Sequence, residues 1–137
     1  MKRYQVLPHI ADLRLKIYGK DMAELFENAA LGLAHVLSKD AEKKLKLARG
    51  AEKITVEADE AGTLLISFLN RILSVSNINK KVYPKVRILY FSPQKIEAQI
   101  SGIAIDGFDE DVKAVSYHDA KIEKNKDIFE TTIVLDI

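Results

Sequence analysis

Apolar and polar residues are arranged along the chain in two different periods. Between Ala11 and Tyr18 they alternate one by one, which is typical of a strand with one buried face. Leucine, phenylalanine and alanine then recur at helical spacing from Leu25 to Leu37, and a second apolar stripe runs from Leu64 to Leu73. Asp21 followed by Glu24 has the spacing of a capping box, so the first helix is predicted to begin there.

The rest of the chain is predicted to be mainly strands. Apart from a short strand around 54–58, the candidates are 86–91, 96–100, 112–123 and 129–137, with turns at Ser92-Pro93 and Asn125-Lys126-Asp127. Strand and helix do not alternate regularly. We therefore predict a single α+β domain over 1–137, with about seven mainly antiparallel strands packed with two amphipathic helices.

Composition excludes several classes of protein. The formal net charge of +1 lacks the basic excess of proteins that bind nucleic acid through its phosphates. Basic residues cluster at 39–49 and 80–87, and we interpret both clusters as solvated surfaces. The absence of cysteine excludes disulfides, thiolate metal sites and a cysteine nucleophile. No apolar run is expected to span a bilayer and no signal peptide is evident, so a cytoplasmic location is expected.

Two acids stand out by their positions in the first and last strands. Asp12 lies on the polar side of its strand, and Asp136 lies on the polar side of the last one. If these strands are antiparallel neighbours, Asp12 and Asp136 approach each other beside the terminal carboxylate of Ile137. Three carboxylates repel one another, and a hard divalent cation with a preference for oxygen ligands would offset that repulsion. The alternative, in which each acid is solvated at a strand end, stays open on spacing alone.

Other polar residues carry less specific chemistry. The chain has no Walker loop, GxGxxG, HExxH or GxSxG motif. Its histidines, His9, His35 and His118, are far apart in sequence, and His35 is expected on the first helix as a surface or boundary residue. The stretch 113–118 places a Lys, a Tyr and a His on one strand, for proton transfer, phosphate contact or ordinary packing. Asn70 is expected to cap, bridge or face solvent.

Four segments, in order, resemble the archease family. The first is His9-Ile10-Ala11-Asp12 with Gly19 and residues 25–30, where the family has H-T-A-D, a glycine and E-x-F-E-N-A-A. The second and third are residues 64–70 and 113–118, where the family has L-L-x-x-W-L-N and K-A-x-T-Y-H. The fourth is the ending Leu135-Asp136-Ile137, where the family has F-D-I. The matches span nearly the whole chain. The chain departs from the family pattern at three positions: Ile10 replaces the usual Thr, Phe68 replaces the usual Trp, and Arg71 stands where an acid is common.

The resemblance implies an accessory function without catalytic residues. Archeases assist the RtcB-type tRNA-splicing RNA ligase by promoting its guanylylation and multiple turnover. The family's metal ligands correspond to Asp12, Asp136 and the terminal carboxylate of Ile137. A divalent metal is therefore expected as cofactor, Ca²⁺ in a structure, with Mg²⁺ or Mn²⁺ as alternatives. The expected partner is the ligase, with RNA reached only through it and no membrane involved.

Two other functions compete with this interpretation. A metal-dependent phosphoesterase would use Asp12 and Asp136 in catalysis, although no general base is evident beyond His9 or His118. A metal-independent binding module or chaperone would need neither acid. Loss of Asp136 would be harmless in the binding module and damaging in the metal-binding accessory protein.

Overall fold

A computed structural model describes residues 1–7, 12–116 and 121–137 as an α+β domain. In these residues eight strands form two antiparallel sheets, and two α-helices pack with them, which confirms the predicted fold class. The helices are α1 (Met22–Leu37) and α2 (Ala61–Asn79). The strands are β1 (Tyr4–Leu7), β2 (Asp12–Gly19), β3 (Arg49–Glu57), β4 (Lys81–Ser92), β5 (Lys95–Ala104), β6 (Ala114–Ser116), β7 (Glu123–Asn125) and β8 (Ile128–Asp136).

The first helix begins as its capping residues predict. The Asp21 carboxylate accepts a hydrogen bond from the Glu24 backbone N–H at 2.7 Å, which satisfies one of the free donors of the first turn. The Glu24 carboxylate in turn accepts the Lys20 backbone N–H at 3.0 Å. These reciprocal bonds fix the point at which the chain leaves β2 and enters α1.

Gly19 allows β2 to end directly against the first turn of α1. A Cβ atom at this position would lie 2.4 Å from the backbone nitrogen of Leu25 and 2.7 Å from its Cα, both too close for a side chain. Just before it, the carbonyl of Tyr18 accepts a hydrogen bond from the buried Asn28 side chain at 2.7 Å. The absence of a side chain at Gly19 and this bond together hold α1 on β2.

The five-stranded sheet joins the two ends of the chain. Its order is β1-β2-β8-β6, and β7 pairs with a different part of β8. Strands β2 and β8 run antiparallel over their whole length, from the pair Asp12–Asp136 to the pair Gly19–Phe129. The pairing of the first clear strand with the last, which was the condition for Asp12 and Asp136 to approach each other, is therefore present. Leu15 and Ile133 form a buried pair on the inner face, and alternate positions such as Arg14 form the outer face.

The three-stranded sheet is built from the middle of the chain, in the order β3-β5-β4. Pro84, which lacks a backbone N–H, lies in the edge strand β4 next to an irregularity in its pairing. Helix α1 packs on both β2 and β4, and α2 packs against β3, β4 and β6. Between them Phe26 packs against Phe68 and Phe91, with ring centroids 5.8 and 4.9 Å apart. The helices therefore connect the two sheets through one hydrophobic core.

Several predicted boundaries were wrong. In place of the single strand at 112–123 the structure has the short β6 and β7, with 117–120 outside the described residues. Strand β3 begins at Arg49, inside the basic stretch, because partners on β5 pair with it there. Helix α2 extends to Asn79 before Lys80 adopts a left-handed conformation (φ 55°), and β4 follows at once.

Helix α2 is also apolar enough to correct one expectation. Its 19 residues meet the length and composition of a membrane span, with a mean hydropathy of 1.2. Half of that apolar window is buried inside the protein. Core helices of soluble proteins meet the same criteria, so the apolar character of α2 is accounted for by its packing in the core.

Candidate metal centre

The two acids singled out in the sequence are direct neighbours in the structure. Asp12 is the first residue of β2, Asp136 is the last of β8, and the two are register partners. Side chains of directly opposed residues project from the same face, with Cβ atoms about 4.5–5.5 Å apart. That face is the outer one, because the next pair along, Leu13 and Leu135, lies on the core side.

Asp136 is held by strands on both sides. On the side away from β2 it is opposite Ala114 of β6, and its carbonyl accepts the Lys113 backbone N–H at 2.7 Å. Its backbone is therefore fixed by the sheet while its side chain is exposed. Ile137 follows β8 and is 37% exposed.

The donor set of this edge suits a hard cation. Two aspartates and a terminal carboxylate supply only oxygen atoms, which Ca²⁺ and Mg²⁺ prefer. Within residues 1–7, 12–116 and 121–137 no three His, Cys, Asp or Glu side chains converge, at this edge or elsewhere, so the edge offers only two such side chains, Asp12 and Asp136. Binding at Asp12, Asp136 and Ile137 stays a prediction that the register makes geometrically reasonable. His9 and His118, two other candidates, lie outside the described residues, as does Ile10.

Strand β6 is attached to α2 by one amide side chain. Asn70 donates from Nδ2 to the Val115 carbonyl and accepts the Val115 backbone N–H at its Oδ1, both at 2.8 Å. The side chain therefore pairs with Val115 much as a neighbouring strand would. The sequence predicted only a cap, a bridge or a solvated side chain for Asn70, because the bonded partner lies 45 residues further along the chain.

The remaining sequence candidates lie near the pair or away from it. Lys113 is exposed at the start of β6, and its backbone is bonded to that of Asp136. His35 lies on α1 and is partly buried, as predicted for a boundary residue, with its ring 5.3 Å from that of Tyr4. Asp109, in the loop between β5 and β6, accepts the Lys39 backbone N–H at 2.8 Å just beyond the C-terminal end of α1.

Three groups with a raised pKa lie away from the aspartate pair. Burial, followed by the hydrogen bond and charge of Glu42, raises the pKa of Tyr4 to about 12. Burial and then the charges of Glu24 and Asp21 raise the pKa of Glu27. Burial is also the main cause of the raised pKa of Tyr83. These shifts reflect packing on α1 and on the three-stranded sheet.

Comparison with known proteins agrees with the fold and the order of the sequence segments. The model of the archease protein family (MTH1598/TM1083) matches residues 4–137. The protein archease of Thermococcus gammatolerans is 31% identical over 134 residues, which cover 93% of this chain and 92% of that protein.

Two solved structures share the architecture. The solution structure of Methanobacterium thermoautotrophicum protein 1598 is similar with a TM-score of 0.71 and 25% identity over the full length of both chains. The crystal structure of an archease from Thermotoga maritima, described as a possible chaperone, has a TM-score of 0.60 at 20% identity and covers 96% of this chain and 94% of its own. The family and these relatives are named as a protein or a possible chaperone, and not as an enzyme. The chain belongs to the archease family.

Proposed function

We propose that this protein is a metal-binding accessory factor that activates an RtcB-type tRNA-splicing RNA ligase in the cytoplasm. Asp12, Asp136 and the terminal carboxylate of Ile137 would hold the cation, either Ca²⁺ or one of Mg²⁺ and Mn²⁺. The protein would promote guanylylation of the ligase and its multiple turnover. RNA would be reached only through the ligase, in keeping with a net charge of +1.

The register of Asp12 with Asp136 is the observation that supports this proposal most directly. Two carboxylates on opposed positions of one sheet face repel each other unless a cation or a proton intervenes. Because the backbone of each is fixed by strand pairing, neither can move away without disturbing the sheet. The Asp136 carboxylate is exposed at the end of its strand, whereas the Oδ1 atom of Asp12 is buried.

The residues of this chain would act by placing charge at the partner's active site. A divalent cation supplies Lewis acidity and offsets the negative charge of phosphate groups. Asp12 and Asp136 would orient the cation from the sheet, while the more loosely held Ile137 carboxylate completes the set. The edge of the sheet that carries the exposed Asp136 side chain would then face the ligase, because a bound cation must reach the partner's reacting phosphates.

A ligation assay with matched variants tests the proposal. Multiple-turnover RNA joining by an RtcB-type ligase with GTP should rise when the wild-type protein is added. Asp136→Asn should abolish that stimulation and weaken Ca²⁺ binding, measured by calorimetry, by about tenfold or more. Asp127→Asn, which removes an exposed carboxylate at the β7–β8 turn, should leave both properties unchanged.

The result also separates the competing functions. Equal stimulation by wild type and Asp136→Asn would contradict the metal-dependent activity and favour a metal-independent binding module. A chaperone function, suggested by the description of the Thermotoga maritima relative, would instead suppress aggregation of an unfolding client in the presence of EDTA. Hydrolysis of generic phosphodiesters that is lost in Asp136→Asn would identify a phosphoesterase.

A further inference from the structure

The outer face of the five-stranded sheet contains a cleft that the aspartate pair does not explain. Its volume is about 380 Å³, within the range of small-ligand sites. Its lining includes three basic side chains, Arg14, Lys16 and Lys121, and two carboxylates, Glu123 and Glu130. In the part of the chain that the structure describes, none of the three cations forms an ion pair.

Arg14 has the most unusual environment of the three. Its Nε atom is buried and has no hydrogen-bond partner among residues 1–7, 12–116 and 121–137. Across the strands it is opposite Leu7 of β1 and Val134 of β8, and Val134 is only 5% exposed. A guanidinium donor enclosed by apolar neighbours lacks the hydrogen bonds that buried polar groups nearly always make.

The two ends of the cleft differ in charge. One end of the cleft is acidic, because Glu123 and Glu130 are register partners there. Lys16 extends toward this end, with its ammonium 5.7 Å from the ring centroid of Tyr18. Glu130 is four positions from Val134 along β8, which corresponds to about 13 Å at about 3.3 Å per residue. An anion placed beside Arg14 would therefore lie away from Glu123 and Glu130, and its nearest carboxylates along the same face would be Asp12 and Asp136.

We propose that this cleft binds a phosphate group, with Arg14 as the main ligand and Lys16 and Lys121 as supporting charges. A guanidinium presents its N–H donors in a planar fork that matches two oxygens of a phosphate. The phosphate would supply the acceptor that the Nε–H lacks. The low exposure of Val134 would strengthen the interaction, because less water screens the charges. The cleft adjoins the proposed metal centre, because Asp12 lies two positions before Arg14 on the same face of β2. Phosphate binding would not require the metal, so the two sites can be tested separately.

Titration with inorganic phosphate in EDTA tests the site directly. The side-chain Nε–H resonance of Arg14 in a ¹H–¹⁵N NMR spectrum should shift and saturate with phosphate. Chloride at the same ionic strength should produce no saturable shift. A linear response that is the same for both salts would overturn the proposal, since it would report only screening.

Variants separate the guanidinium fork from charge alone. Arg14→Gln should weaken phosphate binding, followed by backbone amide shifts, by about tenfold or more, while Arg14→Lys should bind with intermediate strength. The control Arg87→Gln, an exposed arginine on the three-stranded sheet, should bind as wild type does. Unchanged binding by a folded Arg14→Gln protein, or full binding by Arg14→Lys, would contradict the role given to the Nε donor.

A nucleotide comparison identifies which part of a ligand the cleft recognises. AMP should bind at least as tightly as inorganic phosphate, and adenosine should not bind measurably. If adenosine bound as tightly as AMP, the cleft would recognise the nucleoside and the phosphate site would be wrong.

Discussion

The two sheets of this protein are assembled in different ways. The three-stranded sheet comes from the continuous segment Arg49–Ala104, and its strands β4 and β5 are joined by a tight turn at 93–94. The five-stranded sheet combines β1 and β2 from the beginning of the chain with β6, β7 and β8 from its end. Its central pairing places residue 12 opposite residue 136.

The difference shows which of the two sheets can bring functional side chains together from distant parts of the sequence. Both sheets cover the same core, but only the non-local sheet brings together acids from opposite ends of the sequence. The aspartate pair and the cleft at Arg14 lie on the outer face of that sheet. The following variants examine how strongly the two sheets depend on each other.

The largest effect is expected for Phe26→Ala, which removes the ring shared by both regions. Phe26 is fully buried and packs against Phe68 of α2 and Phe91 of β4. The variant should lower the free energy of unfolding by about 3–5 kcal/mol, because a cavity remains. Denaturant unfolding followed by circular dichroism measures this loss. The 78%-exposed Ile78, replaced by Ala, should change stability by less than about 0.5 kcal/mol.

The same experiment bears on cooperativity. If one core supports both sheets, Phe26→Ala should still unfold in a single transition. Two separate transitions, with one sheet surviving the other, would contradict the shared core.

A smaller and more local effect is expected for Asn70→Ala. The substitution removes both 2.8 Å bonds to Val115 and leaves the N–H and carbonyl of that residue without their partner. Each unsatisfied buried group costs about 1–3 kcal/mol, although water entering at the edge strand should reduce the cost. Hydrogen exchange of the Val115 amide should accelerate much more than exchange in β5.

The neighbouring substitution Arg71→Ala provides the control, since Arg71 is exposed on the same helix. It should leave exchange at Val115 unchanged. Equal protection of Val115 in wild type and Asn70→Ala would mean that pairing with β8 alone holds β6.

The smallest effect is a pH dependence at the beginning of the five-stranded sheet. Burial and Glu42 raise the pKa of Tyr4 from 10.0 to about 12, and its hydroxyl donates to Glu42 at 3.0 Å. A raised pKa means that the folded protein holds the proton more tightly than the unfolded chain does. The resulting stability is fully present below pH 10 and is lost as the pH rises toward about 12.

Thermal unfolding between pH 8 and pH 12 should therefore show wild type losing its advantage over Tyr4→Phe as the pH rises. Comparing the two proteins at each pH cancels the titration of other groups that they share. Tyr90→Phe, at a 49%-exposed tyrosine, should show no such convergence with wild type. A constant difference between wild type and Tyr4→Phe at all pH values would exclude the contribution of Tyr4.

The local spacing of apolar and polar residues was sufficient to predict the helices and most of the strands. The start of α1 followed from Asp21 and Glu24, because a capping box acts within four residues. The division of 112–123 into two strands was missed, since it depends on β8 pairing with β6 and β7 at different places. The role of Asn70 was missed for the same reason, because its partner Val115 is distant in sequence.

The spacing of apolar residues was enough to predict the helices, most strands and the α+β class, and the ordered motifs were enough to predict membership of the archease family. The sequence also placed Asp12 and Asp136 on the polar sides of their strands. The register that makes these strands partners, and that places Arg14 between Leu7 and Val134, could be seen only in the three-dimensional structure. The physical reason is that side-chain direction is set by neighbouring residues, whereas strand order depends on how distant apolar faces share one core.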